Sequence, residues 1–270
     1  MRFGMTVMAA LASLAIVNAS AAAAYAAQAS STPTGNDVSY PQCGKKLPSG
    51  QAFGIVGVND GLANTTNPCL AKEIAWAQAS SGATSQPPVS LYVNTANPGN
   101  LVADWPKNNT DPSGNNTGPS GNTVTDPYGS CTGGDDQACA WQYGWNMADL
   151  DAQFRGVSNP GNYRWWLDVE TINSWEPNTQ NNRADLEGMV TYFKHLGSDV
   201  GIYSTASQWG QIAGTVPSGT PLDSLKDWIP GARTLSQAKA NCGSAPLTGG
   251  GQVTVTQWTT SPADSDYSCR

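Results

Sequence analysis

Short apolar runs recur along this 270-residue chain, most of them separated by segments with helical spacing. The pattern predicts strands at Asn36–Tyr40, Ala52–Asn59, Val89–Thr95, Trp165–Glu170, Val200–Ser204, Asp227–Ile229 and Gln252–Trp258, with a last short strand near Asp266–Tyr267. Helices are expected over Pro68–Ala79, Cys139–Phe154, Asn182–Leu196, Ser207–Ala213 and Ser236–Asn241. Leu186, Met189, Val190, Phe193 and Leu196 form one stripe, the clearest amphipathic face in the chain. Strands that are apolar throughout, alternating with helices, describe parallel strands buried on both faces. About eight of them in ~240 residues favour a single-domain α/β fold, an irregular β/α (TIM-like) barrel, over an open doubly wound sheet. No Gly-x-Gly-x-x-Gly opens a helix after a strand, so a dinucleotide-binding sheet has no support. No repeat of solenoid period is present.

Within this pattern the stretch Trp165-Trp166-Leu167-Asp168-Val169-Glu170 stands out, an apolar strand that ends in two carboxylates. Alternation places Trp165, Leu167 and Val169 on one face and Trp166, Asp168 and Glu170 on the other. Two residues of rise set the carboxylates roughly 6.5–7 Å apart, a workable spacing for an acid and a partner around one scissile bond. With 16 Asp and 4 Glu, chance alone supplies about 0.24 Asp-x-Glu triplets in a chain of this length. The triplet by itself therefore says little. Its position says more: of Glu73, Glu170, Glu176 and Glu187, only Glu170 closes an apolar strand.

The first 26 residues read as a processing segment, with Arg2, an apolar Met5–Val17 and a small-x-small site at Ala24-Tyr25-Ala26. A flexible leader is expected over 27–34 and the barrel over 35–270, interrupted by a Gly/Asn/Pro-rich insertion at 97–137. Asn108 and Asn115 head Asn-x-Thr triplets within it, read here as plain loop composition. No apolar run is long enough to span a bilayer. A net charge of -7 argues against a nucleic-acid partner. The six cysteines are an even count suited to an oxidising compartment and allow 15 pairings. Nearest-neighbour disulfides are expected: Cys43–Cys69, Cys131–Cys139 and Cys242–Cys269. No close Cys-x-x-Cys pair is present, so no metal and no cofactor is expected. The single histidine, His195, falls in a helical pattern and is expected to be exposed, which removes His-dependent triads.

In a barrel of this kind the C-terminal strand ends form the working mouth. Those ends carry Asp37, Asn59, Asn94, Asp168 with Glu170, Tyr203, Trp228, Gln257, and then Asp264 or Asp266. Carboxylates and amides bind hydroxyls, and rings stack on the apolar faces of sugars, so the mix points to a hydroxyl-rich substrate. Trp141, Trp145, Trp166 and Trp175 are expected near this mouth; Trp165 and Trp76 are expected to fill the core.

These residues resemble the family 25 glycoside hydrolases, bacterial muramidases built on an irregular β/α barrel. The matching pieces, in order, are Asp37-Val38-Ser39, Leu167-Asp168-Val169-Glu170, Gly201-Ile202-Tyr203-Ser204 with Trp209, Asp227-Trp228-Ile229, and Thr256-Gln257-Trp258 ahead of a final Asp. The resemblance implies that Glu170 is the general acid, with Asp168, Asp37 and Asp266 lining the site and Asp264 competing for the last place. The second strand end reads Gly57-Val58-Asn59-Asp60-Gly61 where the family carries a basic residue and a Thr-Glu-Gly segment. The third reads Leu91-Tyr92-Val93-Asn94 where a Tyr-His pair is usual. Together with the insertion and the cysteines, these departures mark a divergent branch. The expectation is a secreted, monomeric hydrolase of β-linked amino-sugar polymers, peptidoglycan foremost. Glu170 would be kept protonated by burial and by Asp168, and Asn59, Asn94, Tyr203, Trp175, Trp228, Gln257 and Asp264 would contact the glycan. The alternative is a barrel that binds cell-wall carbohydrate without cleaving it.

Overall fold

The computed structural model describes residues 32–110 and 124–269. The expected processing segment, leader residues 27–31, the Asn115 triplet and the middle of the 97–137 insertion lie outside the described residues. Eight strands close into a barrel in chain order: β1 (Gly35–Val38), β2 (Gly54–Gly57), β3 (Val89–Asn94), β4 (Arg164–Asp168), β5 (Asp199–Tyr203), β6 (Lys226–Ala232), β7 (Gln252–Trp258) and β8 (Asp264–Ser268). Five helices accompany them: α1 (Leu70–Gln78), α2 (Gln137–Phe154), α3 (Thr179–His195), α4 (Ala206–Ile212) and α5 (Leu235–Asn241). Residues 33–270 form one compact unit.

The expectation of parallel strands holds from β1 to β7 and fails at β8, which runs antiparallel to both β7 and β1. The reason is chain length. Only Thr259 to Ala263 separate β7 from β8, whereas a parallel return needs a crossover of a dozen or more residues. The first strand is also shorter than expected, because Pro41 sits in a 3-10 turn over Tyr40–Gln42 that ends it. Capping fixes the long helices: the Asp136 side chain accepts from Cys139 N at 2.9 Å to start α2, and Asn178 accepts from Gln180 N at 3.0 Å to start α3.

Alternation along the strands divides the core in two. Outward-facing Leu91, Trp165, Leu167, Val200 and Ile202 pack with helix residues such as Met189, Val190 and Phe193. Trp165 stacks on Phe193 with centroids 4.4 Å apart. Phe53, Ile55, Trp166, Trp228 and Val255 fill the barrel interior. Room for the Trp166 indole exists because position 201 is glycine; a Cβ there would lie 2.3 Å from the ring. Below this layer Arg164 donates to Asp199 at 2.7 Å, and Lys226 donates to the same oxygen at 2.6 Å. Although burial opposes its charge, those two donors hold Asp199 below the usual carboxylate range. The floor of the barrel is thus basic and aromatic, and its acids gather at the other end.

The three disulfides are Cys43–Cys69, Cys131–Cys139 and Cys242–Cys269. The second ties the end of the insertion to the first turn of α2. Among the described residues no helix is long and apolar enough to cross a membrane.

Candidate active site

Cross-strand register assembles the site. Asn94 pairs with Asp168, Asp168 with Tyr203, Asp37 with Asp264, and Gln257 with Asp266. Beyond the last residue of β4, Val169 N still donates to Tyr203 O at 2.9 Å. The strand geometry therefore runs one step further and keeps Glu170 on the side of Asp168. The outcome is a cavity of about 150 Å³ at the barrel mouth, lined by Asp37, Tyr92, Asp168, Glu170, Tyr203, Trp228, Gln257 and Asp264.

Each acid is held differently. Asp168 is 6 % exposed, and its Oδ2 accepts from Asn94 Nδ2 at 2.8 Å while Oδ1 has no partner. Burial, then the charge of Glu170, raises its carboxyl well above the usual range, against the Asn94 hydrogen bond. Glu170 is only half-buried, at the rim. The deep burial expected for Glu170 thus falls on Asp168, because Glu170 lies beyond the strand end. Glu170 Oε1 accepts from Gln208 Nε2 at 3.4 Å. Across the cavity Gln257 Nε2 donates to Asp37 Oδ2 at 3.0 Å, and Tyr203 OH donates to Gln257 Oε1 at 3.0 Å. Burial pushes the Asp37 carboxyl up to about 7, with Gln257 working against the shift and Asp264 adding to it. Behind Asp37 lies Asp266, fully buried, its Oδ1 accepting from Trp228 Nε1 at 2.8 Å. Burial and the Asp37 charge raise Asp266 strongly. The two acids share a hydrogen bond, which requires that one of them hold a proton.

Of the expected site residues, Asp37, Asp168, Glu170, Tyr203, Trp228, Gln257 and Asp264 converge on one cavity. Asp266 stands behind its wall, because an antiparallel β8 carries residue 264, not 266, to the mouth. Asn94 reaches the site through Asp168. Asn59 does not reach it: the side chain is 1 % exposed, donating to Asp151 Oδ1 at 2.9 Å and accepting from Asn94 N at 2.8 Å. It braces β3 and has no face left for a ligand. Trp175 lines a neighbouring hollow, its Nε1 donating to Glu170 O at 2.9 Å. Trp141 and Trp145 belong to the α2–α3 side, where they stack on each other; their closeness to Asp168 is one of sequence only. Trp76 is half-buried at the edge of the core, its indole N–H donating to Pro48 O at 2.8 Å. His195 is exposed at the end of α3, as expected.

Two residues escaped sequence reasoning. Tyr92 shares a strand face with Asn94, so alternation could have found it. Gln208 sits on α4, and nothing in its sequence context points to Glu170.

The match to known proteins is local in sequence and extensive in fold. The sequence model of the family described as "Lysozyme-like protein 1" matches residues 155–225, from the end of α2 to just before β6. "Lysozyme-like protein 5" of Caenorhabditis elegans is 37% identical over 96 residues, 34% of this chain and 40% of that protein. "Probable GH family 25 lysozyme 4" of Dictyostelium discoideum is 34% identical over 55 residues, 20% of this chain and 25% of that protein. The chain thus spans less than half the length of these curated relatives. Among solved structures, a muramidase from Trichobolus zukalii superposes with a TM-score of 0.52 at 16% identity, over 88% of this chain and 93% of the other. A bacterial lysozyme from Streptomyces coelicolor gives 0.50 at 15% identity over the same shares. In barrel fold along most of its length, and in local sequence around β4 and β5, the chain resembles the family 25 glycoside hydrolases as a divergent branch.

Proposed function

We propose that the chain is a secreted glycoside hydrolase acting on β-linked amino-sugar polymers, peptidoglycan foremost. The observation that carries this reading is the convergence of Asp37, Asp168 and Glu170 on one small cavity with Tyr92, Tyr203 and Trp228. Rings and carboxylates around one opening suit a sugar. Glu170, at the rim, is the group placed to protonate a leaving glycosidic oxygen. Asp168, deeper and held by Asn94, stabilises the oxocarbenium-like charge or orients an acetamido group. Three disulfides and the expected processing segment support an extracellular setting.

Glu170→Gln removes the transferable proton while keeping the shape. Release of reducing ends from purified cell walls is expected to fall at least ~100-fold, the lower range for a general acid. Unchanged release would remove Glu170 from the mechanism. Binding to glycan without turnover by the unaltered protein would favour a carbohydrate-binding barrel instead.

A further inference from the structure

Two hollows, of about 840 and 230 Å³, are lined by the loops that follow β2, β3 and β4. They share Pro98, Asn173 and Ser174 and so form one continuous depression. Leu101, Ile172 and Leu62 are 90, 87 and 64% exposed, the three most exposed large hydrophobic side chains among the described residues, and all three line it. A single exposed leucine needs no explanation, but three converging on one concave surface do. The remaining walls carry the carboxyls of Asp104, Asp135 and Glu176 and neither Lys nor Arg. Sugar rings are met by aromatic faces and hydrogen-bonding groups; a lining of aliphatics and acids suits a ligand with methyl groups and an ammonium.

The depression begins beside the acid cavity. Asn173 N donates to Glu170 O at 3.1 Å and Asn173 Nδ2 to Asp168 O at 3.3 Å, so the wall of one is tied to the floor of the other. We infer that this surface docks the amine-bearing peptide arm of a cross-linked glycan whose sugar chain occupies the acid cavity. The inference rests on the hydrolase reading above and narrows its substrate to peptide-substituted strands. Charge complementarity names the occupant: three carboxyls on the walls select an arm with a free ammonium over a neutral or acidic one.

The test uses soluble glycan fragments with their peptide arms, the same fragments stripped of arms by an amidase, and fragments whose arm amines are acetylated. Binding to the Glu170→Gln protein is read by calorimetry, and cleavage by the unaltered protein is read by reducing ends. Intact fragments are expected to bind about tenfold more tightly than stripped ones, the equivalent of one aliphatic side chain covered. Acetylation should remove part of that preference. A Leu62→Ser/Leu101→Ser/Ile172→Ser protein, altered only at exposed positions and checked for an unchanged melting temperature, should lose it. Equal affinity for intact and stripped fragments overturns the inference, and so does a preference that survives the triple substitution. A dimer in sedimentation that dissociates on the triple substitution overturns it as well, assigning the surface to a second copy. If stripped and intact glycans are cleaved alike, the hydrolase reading stands and the docking fails. Should neither be cleaved while the binding preference persists, the docking stands and the hydrolase reading fails.

Discussion

At the scale of single residues, the site is held by amides whose far ends are already committed. Gln208 Oε1 accepts from Thr171 N at 2.7 Å and from Thr171 Oγ1 at 3.1 Å, which leaves only its NH2 to face Glu170. Gln208 is thus a positioning residue that restrains one oxygen of Glu170 and leaves the other free toward the cavity. A hydrogen bond to a charged group contributes about 1.5 kcal/mol, close to a factor of ten in rate. Gln208→Ala is therefore expected to lower kcat about tenfold on cell-wall substrate with KM little changed. Because an N–H favours the ionised carboxylate, its loss should also move the alkaline limb of the pH–rate profile to higher pH. Steady-state rates across the pH range check both, and a purely structural role would leave the limb where it was. Residue identities at strand tips were legible because alternation and position single them out. Gln208, Tyr92 and the bracing role of Asn59 were not, since each depends on what lies across a gap between elements.

At the scale of elements, the closest contact in the molecule outside the barrel is between α2 and α3. Gly144 on α2 faces Asp185 O, and Gly188 on α3 faces Trp141 O; a Cβ at these positions would sit 1.9 and 2.0 Å from those oxygens. Both obstacles are helix backbone, which cannot turn aside as a side chain would. Gly144→Ala is expected to destabilise the fold by about 3 kcal/mol or more, beyond the gain in helix propensity of about 1 kcal/mol. Urea unfolding of the purified variant measures it, and a neutral or stabilising result would mean that the helices can separate freely. The same crossing buries Asp185 with neither carboxyl oxygen partnered, and burial raises its carboxyl well above the usual range. Periodicity announced both helices, with the α3 stripe read correctly residue by residue. It did not announce their contact, because glycine carries no apolar signal and close approach is a property of two helices together.

At the scale of the whole molecule, the buried acids set how stability depends on pH. Burial raises Asp37 and Asp151 from 3.8 to about 7, in Asp151 against the pull of Arg155 and Asn59. Between those values the folded chain binds more protons than the unfolded one. Their contribution to stability is thus fully present below 3.8 and is lost as pH rises through about 7. The melting temperature is expected to fall between mildly acidic and mildly alkaline buffer. Asp151→Asn, which keeps an acceptor for Asn59 and Arg155, should flatten the fall. Calorimetry from pH 4.5 to 8 checks this, and a melting temperature that rises over that range refutes it. The amino-acid sequence by itself determined the number and order of the strands, the pairing of neighbouring cysteines, and which strand ends carry acids. All of these are local, fixed by periodicity, turn residues and spacing along the chain. Only the tertiary structure decided that β8 turns back antiparallel and puts Asp264 rather than Asp266 at the mouth. It alone decided that Asp168 rather than Glu170 is the deep acid, and that the loops after β2, β3 and β4 shape a second depression. Those outcomes depend on how far water is excluded and on which distant segments meet, and neither quantity is written in any one stretch of chain.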